Sequence, residues 1–407
     1  MQMSWSRFLA DQRGGAVPMF TLAIVPIIGL VGASVDYSRG NAARTSMLAA
    51  IDATALMLSK NAATMTPAAI TQQATSYFTS QFHHPEVANL QVTAILTSPQ
   101  AGSFTLTVTA SGAVPTTFTK LLGQTELDLS ASASVQWGIK KLELALVLDN
   151  TGSMAQNGKL TQLKSAAHNL LTTLQTAAKQ PGDVKIAIIP FDTMVNVGTT
   201  YASQTWLDYS VNKIKQNQWT GCVIDRDQPN DTLDTAPTTS NIHTLFPAAQ
   251  CANGLTTLIP LTDVLDSTGW TNLNSKIDAM TASGNTNVTI GLVWGWHALT
   301  PNQPLPEGSD PAPDKDKVIV LLTDGTNTQN RWSSSESSID ARTSLACANA
   351  KAANIKIYTV RVLDGNASLL QGCATNPNMY YDVSQASQLN AVFSSIAQNL
   401  ANLRIAK

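Results

Sequence analysis

The spacing of apolar residues changes along this chain, and each spacing predicts a different kind of structure. Residues 16–35 form a continuous run without a charged side chain. Residues 92–96, 104–108 and 131–135 alternate apolar with polar positions, which is typical of β-strands that bury one face. From residue 141 onward, apolar runs of strand length alternate with segments of helical period. That alternation predicts an α/β, Rossmann-like fold with a doubly wound, mostly parallel sheet.

The uncharged run at residues 16–35 is long enough to form a transmembrane helix. As an α-helix it would extend about 30 Å, which is the thickness of the hydrocarbon core of a bilayer. Arg13 precedes the run while Asp36 and Arg39 follow it, so the flanking charges say little about orientation. The alternative is a cleaved signal peptide with a small-residue cleavage site at 31–33. We favour an uncleaved anchor because the run is long for a signal and the helical pattern continues beyond it.

These changes in spacing divide the chain into three parts. Residues 1–63 comprise the apolar segment and a following helix, residues 64–139 a small β-rich module, and residues 140–407 the α/β domain. Within that domain, residues 198–265 are too long for a simple connection and have no continuous apolar period. Long ordered loops in α/β domains are often functional, so we expect an insertion there.

The four cysteines of the chain are Cys222, Cys251, Cys347 and Cys373. None lies in a C-x-x-C pair, and the histidines do not fall at the spacing of zinc ligands. An even number of widely spaced cysteines fits two disulfides in an oxidising compartment, and four separate buried thiols are the alternative. Sequence order suggests Cys222 with Cys251 and Cys347 with Cys373. Each bridge would close a loop of roughly 30 residues, and the first would staple the insertion.

Carboxylate and hydroxyl side chains follow two apolar strands and open one helical segment. Asp149, Thr151 and Ser153 come directly after a predicted strand, Asp324 ends another, and Thr286 follows a glycine turn. Open α/β sheets place ligand sites at the carboxyl ends of their strands. Hard oxygen ligands suit Mg²⁺, so these residues are candidate metal ligands. The plain alternative is that Asp and Ser only cap helices here.

Composition and missing motifs exclude several classes of function. The formal net charge is −2, and no basic stripe with interleaved aromatic residues is present, so nucleic-acid binding is not expected. The chain has no G-x-S-x-G, no H-E-x-x-H and no phosphate-cradling G-x-x-x-x-G-K-[ST]. A Mg²⁺-dependent phosphohydrolase would need more carboxylates than the two candidate aspartates. We therefore predict a protein that is not an enzyme.

Several motifs resemble known families. D-x-T-x-S at 149–153, the threonine at 286 and T-D-G at 323–325 resemble the metal-ion-dependent adhesion site (MIDAS) of von Willebrand factor A (vWA) domains. D-Q-R-G-G at 11–15 and V-D-Y-S-R at 35–39 resemble the N-terminal segment of TadG-like proteins, which accompany the Flp pilus assembly machinery of the tight-adherence system. Further segments with this resemblance are 51–56, 219–226, 285–296, 346–360 and 372–377.

The resemblance implies a membrane-anchored binding module that acts in adhesion or scaffolding. It implies that Thr151 and Ser153 bind the metal directly, that Asp149 and Asp324 bind mainly through water, and that Thr286 binds in either way. The metal would be Mg²⁺, with Mn²⁺ or Ca²⁺ as alternatives. An acidic residue of a protein partner, a pilin or another pilus-assembly subunit, would complete the coordination.

The same resemblance implies a single-pass protein of the bacterial inner membrane with its C-terminal domain in the periplasm or outside the cell. Two other functions stay open from the sequence. One is a structural scaffold for pilus assembly whose metal site is vestigial, and the other is a Mg²⁺-dependent hydrolase.

Overall fold

The computed structural model describes residues 16–100, 103–138, 140–252 and 254–403. The chain forms two compact units that divide after Gly138. Each unit has its own hydrophobic core, and we refer to them as the N-terminal unit and the C-terminal unit.

The N-terminal unit packs two helices against a three-stranded antiparallel sheet of order β1-β2-β3. Its elements are α1 (Ala16–Ser59), α2 (Pro67–Gln81), β1 (Ala88–Gln100), β2 (Ser103–Pro115) and β3 (Glu126–Gly138). The core contains Met47 and Ile51 of α1, Phe78 of α2, and Leu106 and Val108 of β2. The helices and the sheet therefore share one core.

Helix α1 is continuous from Ala16 to Ser59, so the apolar run and the helix predicted after it are one element. Among the described residues, its stretch Leu22–Ser59 is long and apolar enough to cross a membrane. Buried residues begin at Gly32 and recur at Asp36, Gly40 and Ala43, which places them on one helix face at intervals of three or four. This face packs on the sheet.

The C-terminal unit is built on a mixed sheet whose central strands are parallel. Strands β13 (Tyr380–Val383), β12 (Lys356–Val362), β11 (Lys315–Thr323), β4 (Lys141–Asp149) and β5 (Val184–Phe191) are adjacent in this order and parallel. Strand β10 (Ile259–Asp263) pairs antiparallel with β5. The predicted α/β fold with a mostly parallel central sheet is confirmed.

Helices cover both faces of this sheet, because β4 and its neighbours are apolar on both sides. Leu144 and Leu146 of β4 belong to one core, and Ala145 and Val147 belong to the other. The helices are α3 (Lys159–Ala177), α4 (Ser267–Ala279), α5 (Val288–Ala298), α6 (Glu336–Ala352), α7 (Ala367–Cys373) and α8 (Leu389–Leu403). Residues of α3, α4 and α8 join the first core, and residues of α5, α6 and α7 join the second.

The described residues of the predicted insertion, 198–252 and 254–265, extend the sheet together with the short strand that precedes them. Strands β6 (Val195–Asn196), β8 (Cys222–Val223), β9 (Phe246–Ala249) and β7 (Leu207–Asp208) continue outward from β5 in this order. The aromatic rings of Trp206 and Phe246 pack on each other and on Trp294 of α5. The insertion therefore has an apolar attachment to the domain in addition to its hydrogen bonds.

Both pairs of cysteines are disulfides in this structure. Cys222 is bonded to Cys251 inside the insertion, and Cys347 of α6 is bonded to Cys373 at the end of α7. The Cα–Cα distances are 5.0 and 5.1 Å. The expectation of disulfides is confirmed, and no cysteine of the chain is left as a free thiol.

Candidate metal centre

The first loop of the site leaves strand β4 at Asp149. The Asp149 carboxylate accepts a hydrogen bond of 2.7 Å from the backbone N–H of Thr151, which turns the chain sharply at the end of the strand. This turn brings the hydroxyl groups of Thr151 and Ser153 within 3.1 Å of each other. Asp149 and Thr151 are buried, so their oxygens face the interior of the site and have little access to bulk water.

Asp324 reaches the same place from the neighbouring strand. Strands β4 and β11 run parallel with Leu148 opposite Leu322, so their carboxyl ends meet at one edge of the sheet. The hydroxyl of Ser153 donates to the Asp324 carboxylate at 2.6 Å, and the hydroxyl of Thr323 donates to that of Asp149 at 2.6 Å. Burial and the nearby charge of Asp324 together raise the pKa of Asp149.

Thr286 lies on the third loop, which is held against the other two by hydrogen bonds. Gly152 N–H donates to the carbonyl of Gly284 at 3.0 Å, and Thr286 N–H donates to the hydroxyl of Thr328 at 2.8 Å. A Cβ atom placed on Gly325 would be 3.6 Å from both the Ser153 and the Thr286 hydroxyl oxygens. The structure thus brings all five candidate metal ligands to one edge of the sheet.

This set of side chains fits a hard divalent cation. Two carboxylates and three hydroxyls offer oxygen atoms only, which is the donor type that Mg²⁺, Mn²⁺ and Ca²⁺ accept. Among the described residues, no group of three or more His, Cys, Asp and Glu side chains could hold a metal ion. Any metal at this edge would therefore depend on the hydroxyls of Thr151, Ser153 and Thr286 as well as on the two aspartates.

Lys159 is a residue of the site that the sequence did not reveal. It is the first residue of α3, its side chain is only 3% exposed, and its ammonium group forms an ion pair with the Asp324 carboxylate. Gly158, which precedes it, has a φ of 69°, a left-handed conformation that glycine adopts without steric cost. The negative charge of Asp324 is thereby balanced by a cation of the chain itself.

Asp225 of the insertion connects two of the three loops. Its carboxylate accepts hydrogen bonds of 3.0 and 2.9 Å from the side-chain amide of Asn287 and one of 3.1 Å from the backbone N–H of Arg331. Asn287 follows Thr286 directly, and Arg331 lies on the loop that follows Asp324. The buried Asp225 therefore helps to fix both loops, and through it the insertion stabilises the loops of the site.

Two other acidic residues of the insertion have separate protein partners. Asp231 forms an ion pair with Arg342 of α6, and Asp227 forms ion pairs with Arg331 and His243. Because these carboxylates face different cationic side chains, they do not converge on a common point.

Asp192 lies at the carboxyl end of β5, beside the third loop. It is only 3% exposed, and its carboxylate accepts a hydrogen bond of 2.7 Å from the Met194 N–H. Its second oxygen would be 2.9 Å from a Cβ atom on Gly284. Burial raises the pKa of Asp192 to about 6. The structure places Asp192 against the loop that carries Thr286.

Two family models match separate parts of the chain. The Tad model, described as Flp pilus-assembly TadE/G-like, matches residues 14–59, and the von Willebrand factor type A model matches residues 233–395. The C-terminal unit is a vWA domain. The second match includes Thr286 and Asp324, and the geometry above connects them to residues 149–153, which precede the matched range.

Several solved structures match parts of this chain. The pilus adhesin SpaC from Lactobacillus rhamnosus GG, in its open conformation, has a TM-score of 0.43 and 14% identity over 79% of this chain and 35% of its own. This chain thus spans about a third of the length of SpaC. No curated protein matches the chain by sequence.

Two further similar structures are a pilus-tip domain and a matrix protein, both shorter than SpaC. The vWF domain of the type V pili tip protein Mfa5 from Porphyromonas gingivalis has a TM-score of 0.40 and 12% identity, over 67% of this chain and 98% of that chain. Proximal thread matrix protein 1 from the mussel byssus, solved with a zinc-occupied MIDAS motif, has a TM-score of 0.37 and 12% identity, over 65% and 48% of the two chains.

Proposed function

We propose that this protein is a membrane-anchored, non-catalytic binding subunit of an Flp (tight-adherence) pilus assembly system. Its vWA domain would bind an acidic group of a protein partner through a divalent metal, Mg²⁺ or alternatively Mn²⁺ or Ca²⁺. The observation that carries the proposal is the convergence of Asp149, Thr151, Ser153, Thr286 and Asp324 at one sheet edge. It is joined in this chain to a TadE/G-like segment.

The residues of the site have distinct tasks in this proposal. The hydroxyl oxygens of Thr151, Ser153 and Thr286 would hold the metal, and Asp149 and Asp324 would act mainly on the water around it. When bound, the metal supplies an electrophilic position that a carboxylate of the partner can occupy. Few anionic groups near the ion leave it attractive to that carboxylate, because little of its charge is already neutralised.

Membrane anchoring rests on helix α1. The Tad match at residues 14–59 covers all of this helix, and its Leu22–Ser59 stretch has the length and composition of a membrane span. In our proposal the anchor lies in the bacterial inner membrane and the vWA domain lies in the periplasm or outside the cell. The two disulfides support this side of the membrane, because disulfides persist in oxidising compartments.

A scaffold without a working metal site is the second candidate, and the position of Lys159 favours it. The Lys159 ammonium group already balances the charge of Asp324 in the folded chain. A subunit of this kind would hold its loops together without a metal and would bind its partners through other surfaces. The two candidates differ in whether partner contact at the sheet edge depends on divalent cations.

Site-specific photo-crosslinking in cells that assemble the pilus separates these candidates. Gln329 is exposed at the rim of the site and accepts a hydrogen bond of 2.6 Å from Asn285, so a photoreactive residue there would touch a bound partner. We expect crosslinks that chelation abolishes and that Asp149→Ala removes, whereas a photoreactive residue at the exposed Asp310 should give none. Crosslinks from Gln329 that persist under both treatments would reject the metal-dependent proposal and support the scaffold.

A further inference from the structure

The loop between β2 and β3 carries large apolar side chains in contact with solvent. Leu121 is 86% exposed, Leu122 is 73% exposed and Phe118 is 38% exposed. These three exposed apolar side chains lie within five consecutive residues, and we call residues 117–122 the apolar loop. Patches of this kind mark contact surfaces in soluble proteins and in membrane proteins.

This loop is fastened to helix α1 at one defined level. The carboxylate of Asp36 accepts hydrogen bonds from the backbone N–H groups of Thr117, Phe118 and Thr119, at distances between 2.8 and 3.2 Å. It also accepts one of 3.1 Å from the Thr119 hydroxyl. A side chain at position 32 would overlap Phe118, so Phe118 lies directly on Gly32. The loop is therefore held against α1 between residues 32 and 36.

Gly32 is also the point where α1 leaves the body of the unit. Among the described side chains of residues 20–31, none is buried, and Phe20, Leu22, Leu30 and Val31 are more than 60% exposed. From Gly32 onward one face of the helix is covered by the sheet and the apolar loop. The part of α1 that extends beyond the unit is thus apolar on all sides, as a lipid-facing segment is.

The length of α1 sets the depth of the loop relative to a bilayer. Residues 16–35 extend about 30 Å as a helix, which equals the thickness of the hydrocarbon core, so the whole segment is needed to cross it. If Val35 lies at the boundary of the hydrocarbon, Gly32 lies about 4.5 Å inside it. Phe118 contacts Gly32, so its ring lies at the same depth. The apolar loop then cannot stay clear of the lipid.

We propose that the apolar loop inserts Phe118, Leu121 and Leu122 into the interfacial layer of the phospholipid membrane that α1 crosses. Lys120 lies between the apolar residues and is exposed, so its ammonium group can reach lipid phosphates while its stem lies along the acyl chains. The continuity of the loop with the apolar surface of α1 selects lipid as its partner. This inference rests on the proposed membrane anchor, and it adds a second attachment that fixes the tilt of the N-terminal unit.

An environment-sensitive fluorophore on the loop tests this contact. All four native cysteines are in disulfides, so Leu121→Cys introduces a single free thiol into the full-length protein. The thiol is labelled with NBD, and the protein is reconstituted into liposomes of phosphatidylethanolamine and phosphatidylglycerol. The matched control is Ile95→Cys, an exposed apolar residue of β1 opposite Thr107. Thr107 lies about 26 Å of extended chain before the end of β2, where the apolar loop begins, so a label at Ile95 is far from that loop.

We expect blue-shifted emission from the Leu121 label and strong quenching by lipids that carry a spin label near the headgroup. The Ile95 label should emit as it does in water and should not be quenched. Flotation of both labelled proteins with the liposomes measures the anchor separately. Flotation with a water-like, unquenched Leu121 label would overturn the loop contact and leave the anchor intact. Failure of both proteins to float would overturn the anchor and the loop contact together.

Discussion

Asp149 and Asp324 are both buried at the carboxyl edge of the sheet, yet different groups balance their charges. Asp324 has the ammonium group of Lys159, whereas Asp149 has neutral donors such as the Thr151 N–H and the Thr323 hydroxyl. A divalent cation brought to this edge would meet one carboxylate that is already paired with a cation of the chain. We therefore expect Lys159 to compete with a bound metal for Asp324 and to set the affinity of the site.

Lys159→Met should strengthen metal binding. Removing the buried positive charge ends its repulsion of the incoming cation and frees Asp324, so we expect affinity for Mn²⁺ to rise about tenfold, or ~1.4 kcal/mol. The metal-free protein should unfold at a lower temperature, because two buried carboxylates then face each other without a cation. Lys179→Met, at an exposed position just after α3, is the matched control. Unchanged or weaker affinity in Lys159→Met would contradict competition.

At the scale of elements, the site follows from strands whose ends could be predicted. Strands β4 and β11 are apolar runs that end in aspartate, and parallel neighbours must bring their carboxyl ends to one edge. The convergence of Asp149 and Asp324 could therefore be predicted from the sequence. The contribution of Asp225 could not be predicted, because it depends on how an insertion without a regular apolar period packs against the loops of the domain.

Two other elements show where sequence patterns reach their limit. A lysine at the start of a helix is ordinarily solvated, so nothing in the hydropathy of α3 indicates that Lys159 is buried in an ion pair. The apolar run and the packing helix after it form one continuous helix. The buried residues from Gly32 onward recur at one helical period across the point where the two predicted segments meet. Periodicity predicted both helical segments, and only tertiary packing shows that no turn separates them.

Burial of Asp192 at the end of β5 predicts a pH-dependent stability. Its pKa is raised from 3.8 to about 6, which corresponds to about 3 kcal/mol of lost stability once the carboxyl group is ionised. Because the folded pKa lies above the unfolded one, folding takes up a proton between about pH 4 and pH 6. The contribution of Asp192 to stability therefore falls as the pH rises through that window.

Asp192→Asn should remove this loss. Without added divalent metal, we expect the variant to be more stable than the native protein at pH 7, by up to ~3 kcal/mol, and to approach it below pH 4. Chemical denaturation of both proteins between pH 4 and pH 8 measures the difference at each pH. A stability difference that stays constant across this range would show that the ionisation of Asp192 does not carry the effect.

In the whole molecule, the chain joins a unit whose helix is long and apolar enough to cross a membrane to a unit whose sheet edge carries the five candidate metal ligands. Each unit has its own core, so the anchor and the binding domain can be altered separately. Both proposed functions would use features at the margin of a core: the extended part of α1 with the apolar loop in one unit, and the carboxyl edge of the sheet in the other.

Metal binding is the property on which the proposed function depends, and calorimetric titration tests it most directly. Mg²⁺ and Mn²⁺ would be titrated into the purified full-length protein in detergent, beside Asp149→Ala and, as a matched control, Asp310→Ala at an exposed carboxylate. We predict one-site binding by the native protein and by Asp310→Ala, and its loss in Asp149→Ala. Equal binding by all three proteins, or binding by none, would contradict a metal centre built on Asp149.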